Sequence, residues 1–147
     1  MNLMMLLEMA AEGFGERVAI QNGADRLTYT QLFASAGAAA VDVARGGGER
    51  LVVLDVNSLA IPVGLFAAAW AGVPFVPLNY RLTGAELERL LAGIAAPYLV
   101  TDAARVDALA LQAHVVRARE DFLARARTAN GAPGSSTAPP SSSPARC

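Results

Sequence analysis

The sequence predicts an α/β fold, with a β-hairpin followed by β-α-β-α-β units of a mostly parallel sheet covered by helices. Three observations carry that expectation. Short, mainly apolar runs (residues 51–56 with one Asp55, 75–78 and 97–101) alternate with segments of helical periodicity, as buried parallel strands and their crossover helices do. Asn22-Gly23 stands between two short strand-like runs, a hairpin signal. Glycines and helix caps punctuate the chain where one element should give way to the next.

Taken in order, Asn2 is placed to cap a short helix carrying Leu3, Leu6, Leu7 and Ala10 on one face. Residues 17–21 read as a strand and Asp25–Thr28 as its returning partner. Thr30 then caps a helix from Gln31 to about Arg45, with Leu32, Phe33, Ala36, Ala40, Val43 and Ala44 near helical spacing. Gly46-Gly47-Gly48 stops it. Residues 51–56 form a buried strand interrupted by Asp55. Asn57-Ser58 opens the next helix, with Pro62 tolerated near its first turn, and Gly72 ends it. After the strand Phe75–Leu78, Thr83 and Glu86 have capping-box spacing and start a helix to about Gly93. Pro97–Thr101 is a strand, and Asp102 caps a weaker helix to about Gln112. Val115-Val116 adds a short strand, and residues 120–127 a last amphipathic turn or two.

At 147 residues the chain accommodates one domain. Its 54% hydrophobic and 17% charged content suits a globular chain, and a net charge of −1 excludes a strongly basic nucleic-acid binder. All twelve cationic residues are Arg, so chemistry needing a lysine ammonium must come from elsewhere. Cys147 is the single cysteine, which excludes an internal disulfide and a cysteine metal cluster, and His114 has no second His at ligand spacing. Residues 59–80 are uncharged and long enough to span a bilayer, but Pro62, Gly72, Pro74 and Pro77 break the run into a helix and a strand. No transmembrane segment is therefore expected. The apolar start lacks basic residues and is interrupted by Glu8, so no secretory signal is expected and the cytoplasm is the expected location.

Few residues invite chemistry. Gly46-Gly47-Gly48 resembles a phosphate loop in composition, but it follows a helix and precedes a strand, the reverse of the order such a loop needs. Asp55 lies near the carboxyl end of a parallel strand, where open α/β sheets bind ligands. It is either a ribose or metal ligand or a capping or loop-facing carboxylate beside Asn57 and Ser58. Asn79-Tyr80-Arg81 follows another strand end; it either holds an anion or fixes the turn into the Thr83 helix. His114 reads as a loop or edge residue. Ser135-Ser136-Thr137 and Ser141-Ser142-Ser143 are low-complexity sequence without a nearby base. Residues 130–147 carry no large apolar side chain and are expected to be disordered. Read from the residues alone, no catalytic, cofactor-binding or metal-ligating position is assigned.

The segments do resemble a known family. Asn2, Leu6-Leu7, Arg17-Val18-Ala19-Ile20, Leu27-Thr28-Tyr29-Thr30-Gln31-Leu32, Arg50-Leu51-Val52-Val53-Leu54, Asn57-Ser58, the run Ala71-Gly72-Val73-Pro74-Phe75-Val76-Pro77-Leu78-Asn79-Tyr80-Arg81-Leu82-Thr83, Glu86-Leu87 and Leu99-Val100-Thr101-Asp102 look like the start of an adenylate-forming, AMP-binding enzyme. As a whole the segments look like an AMP-forming acyl-CoA synthetase of the fatty-acid–CoA ligase type, and the form Asn79-Tyr80-Arg81-Leu82-Thr83 is more similar to acyl- or aryl-CoA ligases than to nonribosomal-peptide adenylation domains. The resemblance is good over residues 2–102 and thins towards 127.

That resemblance implies a partial N-terminal subdomain over residues 1–127, while the change of composition at Thr128 marks a separate Ala/Pro/Ser-rich tail over 128–147, for which a frame-shifted read of a GC-rich gene is one account. The resemblance also implies a two-step reaction. A carboxylate attacks ATP to give an acyl-adenylate and pyrophosphate, and a thiol, usually that of coenzyme A, takes the acyl group, with Mg²⁺ and a Lys neutralising charge. None of the family's ATP-contacting or catalytic residues maps onto a residue here. The chain is thus expected to be an inactive fragment, with ATP, Mg²⁺ and coenzyme A used by the full-length ligase and none bound by this chain alone. The expected partners are the remaining ligase domains or a second copy, and no nucleic acid. A stand-alone interaction module or split-ligase subunit is the alternative.

Overall fold

The computed structural model describes residues 2–110 and 113–128. The tail at 130–147, with its serine clusters, and the expected helix end at Gln112 lie outside the described residues. The helices are α1 (Leu3–Phe14), α2 (Tyr29–Arg45), α3 (Ala60–Ala71), α4 (Gly84–Ala92), α5 (Ala103–Leu109) and α6 (Arg119–Thr128). The strands are β1 (Val18–Asn22), β2 (Asp25–Thr28), β3 (Arg50–Leu54), β4 (Phe75–Leu78), β5 (Pro97–Thr101) and β6 (Val115–Ala118). The expected α/β class and the mainly parallel sheet are both present.

β1 and β2 pair antiparallel, while the other strands form a parallel sheet in the order β4-β3-β5-β6. The chain leaves β3 for β4 on one side, then crosses back over β3 to β5 on the other. The carboxyl ends of β3 and β5 therefore form a topological switch point. The two-residue period of a strand divides the core. Leu51, Val53, Tyr98 and Val100 face α2, α3 and the Phe122–Ala126 side of α6, with Met4 and Leu7 of α1 in the same cluster. Val52, Leu54 and Leu99 face Leu87 and Leu91 of α4 and Leu109 of α5. Burial on both faces explains why β3 and β5 are uninterrupted apolar runs rather than alternating ones.

Several local expectations shift. In α1, Asn2 does cap, its Oδ1 accepting from the Met4 amide at 3.1 Å. The buried pair is Met4 and Leu7, however, and Leu3 and Leu6 are exposed. The cap of α2 is Thr28 rather than Thr30. Its Oγ1 accepts from the Gln31 amide at 3.2 Å while Gln31 Oε1 accepts from the Thr28 amide at 2.9 Å, a reciprocal box that satisfies two orphan helix-end donors. Ser35 and Ala39 join the buried stripe of α2, and Phe33 and Ala44 stay outside it. In the hairpin, Asn22 pairs with Asp25, so the loop is Gly23-Ala24, with Gly23 at φ +62° in the left-handed region.

β3 ends at Leu54, one residue before Asp55. Ser58 contributes to the start of α3 through its Oγ, which accepts from the Ala60 amide at 3.2 Å. Asp102 makes no side-chain cap on α5 and instead meets Arg105 Nε at 3.3 Å. The step from α2 to β3 runs close under Tyr98. A Cβ on Gly48 would stand 2.7 Å from the Tyr98 Cβ, so the approach requires glycine there.

Candidate functional site

The carboxyl edge of the parallel sheet is where an open α/β fold would take a ligand, and four loops converge on it. Asp55 follows β3 directly, with its side chain 1% exposed. Its Oδ1 accepts from the Val56 amide at 2.9 Å and from Arg119 Nη1 at 2.7 Å, and its Oδ2 accepts from Ser58 Oγ at 2.7 Å. Three donors therefore occupy the carboxylate. The loop-facing alternative describes it: the carboxylate ties the turn after β3 to Ser58 and to Arg119, and makes no helix cap.

Arg119 begins α6, where a cation opposes the helix dipole. Glu120 offsets this by accepting from Arg119 Nε and Nη2 at 3.0 and 2.8 Å. Its own backbone amide, and next the Arg119 guanidinium, hold the Glu120 carboxyl below the ordinary carboxylate value. Hydrogen bonding to Glu120, and next the charge of Asp55, raise the Arg119 pKa.

Asn79-Tyr80-Arg81 shapes a turn. Asn79 Oδ1 accepts from the Arg81 amide at 3.0 Å, an Asx turn. The Arg81 guanidinium lies 5.6 Å from the Tyr80 ring centroid, and its Nε donates to Tyr80 Oη at 3.2 Å. The chain then enters α4 through Thr83, whose amide and Oγ1 both donate to Glu86 Oε2 at 2.9 and 2.8 Å. The Thr83 amide, then its hydroxyl, hold the exposed Glu86 carboxyl below its usual value. Arg105 Nη2 donates to the Tyr80 carbonyl at 2.9 Å, tying the β4–α4 loop to the start of α5.

The edge is thus bracketed by two arginines, Arg105 on the α4–α5 side and Arg119 on the α2–α3 side. Between them Thr101, the last residue of β5, is fully buried, and its Oγ1 has no hydrogen-bond partner among the described residues.

The remaining candidates stand apart. The amides of Gly46, Gly47 and Gly48 donate to the carbonyls of Asp42, Ala44 and Val43 at 2.9, 3.1 and 3.2 Å. They close the end of α2 and are not free to cradle a phosphate. His114 is exposed and precedes β6, so it lies with that loop at the amino edge of the sheet, away from Asp55.

One cluster escaped the sequence reading. Tyr98 Oη donates to Asp42 Oδ2, with Arg117 Nε and Arg125 Nη1 each 3.7 Å from the Asp42 carboxylate. Burial first, and the Asp42 carboxylate second, push the Tyr98 hydroxyl well above the ordinary phenol range. Nothing local announces a pair 56 positions apart. Among the described residues no three His, Cys, Asp or Glu side chains come together as a metal site would need. No helix among them is long and apolar enough to cross a membrane.

Comparison with known proteins adds the family. A model of the AMP-binding enzyme family matches residues 7–145. Feruloyl-CoA synthase of Amycolatopsis sp. is 36% identical over 85 residues, which are 56% of this chain and 17% of that relative. The solved Mycobacterium tuberculosis fatty acyl CoA synthetase superposes with a TM-score of 0.75 at 23% identity, over 86% of this chain and 28% of that one. That identity speaks for the fold alone. ATP-bound MatB of Rhodopseudomonas palustris gives 0.74 at 26% identity, over 89% of this chain and 28% of that one. The chain therefore spans well under a third of each of these proteins.

Proposed function

Since this chain belongs to the AMP-binding enzyme family, we propose that it is the amino-terminal α/β segment of an AMP-forming acid–CoA ligase. The observation that carries this reading is the family match across residues 7–145. The whole ligase would join a carboxylic acid to ATP as an acyl-adenylate, releasing pyrophosphate, and then pass the acyl group to coenzyme A. We read the acid as a fatty acid from the overall resemblance to fatty-acid–CoA ligases. The relative named feruloyl-CoA synthase favours an aromatic acid as the second reading. The cytoplasm is the compartment that suits such a ligase.

Within that enzyme this segment is scaffold. Its described residues do not fit ATP or Mg²⁺. The Asp55 carboxylate already accepts from three donors, one of them the Arg119 cation, Asp102 faces Arg105, and the sequence holds no Lys to neutralise a transferring phosphoryl group. No chemical step is assigned to them, and the chain alone is read as inactive, its partner being the rest of the ligase. The test is exchange of labelled pyrophosphate into ATP by the purified chain with Mg²⁺ and either a long-chain fatty acid or ferulate. The expected result is no acid-dependent exchange; robust exchange would overturn the claim of inactivity.

A further inference from the structure

A groove of about 460 Å³ opens between β2, α2 and the end of α6, and it shares no residue with the carboxyl edge of the sheet. We propose that it binds a phosphate-type oxyanion. This inference rests on the groove and is independent of the ligase reading.

The lining is rich in donors. Arg26 enters from β2 and Arg127 from α6, and neither side chain makes an ion pair or hydrogen bond among the described residues. Gln31 and Ser35 stand one turn apart on α2. Gln31 Oε1 is taken by the Thr28 amide, and the Nε2 of this lining residue is not used in that cap. Ser35 is 2% exposed, and its Oγ has no partner among the described residues.

A serine inside a helix ordinarily bonds the carbonyl one turn back or faces water; this one does neither. A buried hydroxyl left unpaired is costly, and this one belongs to a residue lining a cleft that also holds two guanidinium groups. Asp25 is the lone carboxylate of the lining, so positive charge prevails two to one. An ion with tetrahedral oxygens can take the arginine forks from two walls and the Gln31 and Ser35 donors from the third. A planar monocarboxylate has two oxygens for the same donors and meets fewer of them. Because Arg26 and Arg127 are exposed, binding should weaken steeply with salt.

The experiment is an amide-resolved NMR titration of the full chain at low ionic strength with inorganic phosphate, and separately with acetate. Phosphate should give saturable shifts at Ser35 and Gln31 that acetate does not. Arg26→Gln and Arg127→Gln should each weaken phosphate by about fivefold or more, as loss of one charge-assisted donor does. Both positions are exposed, so the spectrum elsewhere should stay unchanged. Ser35→Ala should weaken binding about twofold to threefold. Absence of saturable shifts, equal binding of acetate, or unaltered affinity in both arginine variants would each overturn the assignment.

Discussion

Arg119 Nη1 donates to Asp55 Oδ1 at 2.7 Å across 64 positions of sequence, joining the end of β3 to the start of α6. The Asp55 side chain is 1% exposed and that of Arg119 27%. Breaking the pair from the arginine side leaves a buried carboxylate without its cation. Arg119→Ala should cost about 3 kcal/mol, the low end for a broken buried pair, because Val56 and Ser58 still donate to Asp55. Urea unfolding of the chain checks this, and an unchanged midpoint would refute it.

Tyr98 and Asp42 give a pH dependence. An unfolded tyrosine ionises near 10, whereas Tyr98 in the fold holds its proton to higher pH. Above pH ~10 the unfolded state sheds a proton that the native state keeps, so stability is complete below that value and falls above it. The slope approaches about 1.4 kcal/mol per pH unit. Tyr98→Phe should lose about 1–2 kcal/mol at pH 7, since Asp42 retains Arg117 and Arg125, and it should flatten the alkaline decline. Equal alkaline slopes for the two proteins would exclude the linkage.

Three glycines should respond differently to alanine. Gly48→Ala drives a Cβ to 2.7 Å from the Tyr98 Cβ and should be the worst, at about 2–3 kcal/mol. Gly72 ends α3 at φ +72° with open space around it, so Gly72→Ala costs only backbone strain, about 1 kcal/mol. Gly84 opens α4 at ordinary φ with nothing within 4 Å, and Gly84→Ala should stabilise by about 0.5 kcal/mol. Thermal midpoints that ranked the three in another order would show that the packing around them is misjudged.

α1 is apolar almost all round, yet Met5, Leu6 and Met9 are 54%, 51% and 66% exposed. Helices of that composition are usually covered on both sides. The chain by itself should therefore associate through this face. Replacing all three residues by Gln should lower the sedimentation coefficient at high protein concentration while leaving the unfolding midpoint within about 0.5 kcal/mol of the parent. Association that persists in the triple variant would move the sticky surface elsewhere.

The strands Phe75–Leu78 and Pro97–Thr101 were legible to the residue, because each is a short apolar run fenced by breakers. The start of α2 was misplaced because Thr28 and Thr30 can both cap; only the Gln31 three residues after Thr28 completes a reciprocal box. In α1 the apolar residues surround the helix, so periodicity could not say that Met4 rather than Leu6 faces inward. Asp55 was visible as a carboxylate at a strand end, but its role depended on Arg119, and Asp42 depended on Tyr98. Pairing over that distance leaves no local trace. The lack of any Lys, by contrast, is countable directly in the sequence.

The central claim is that this chain is the opening segment of an acid–CoA ligase. The most direct measurement is to sequence the genomic DNA from codon 120 to several hundred bases past Cys147 and translate all three frames. One frame should continue with a Gly/Ser/Thr-rich loop carrying a Lys. Downstream frames that are all closed or unrelated to the family would contradict it.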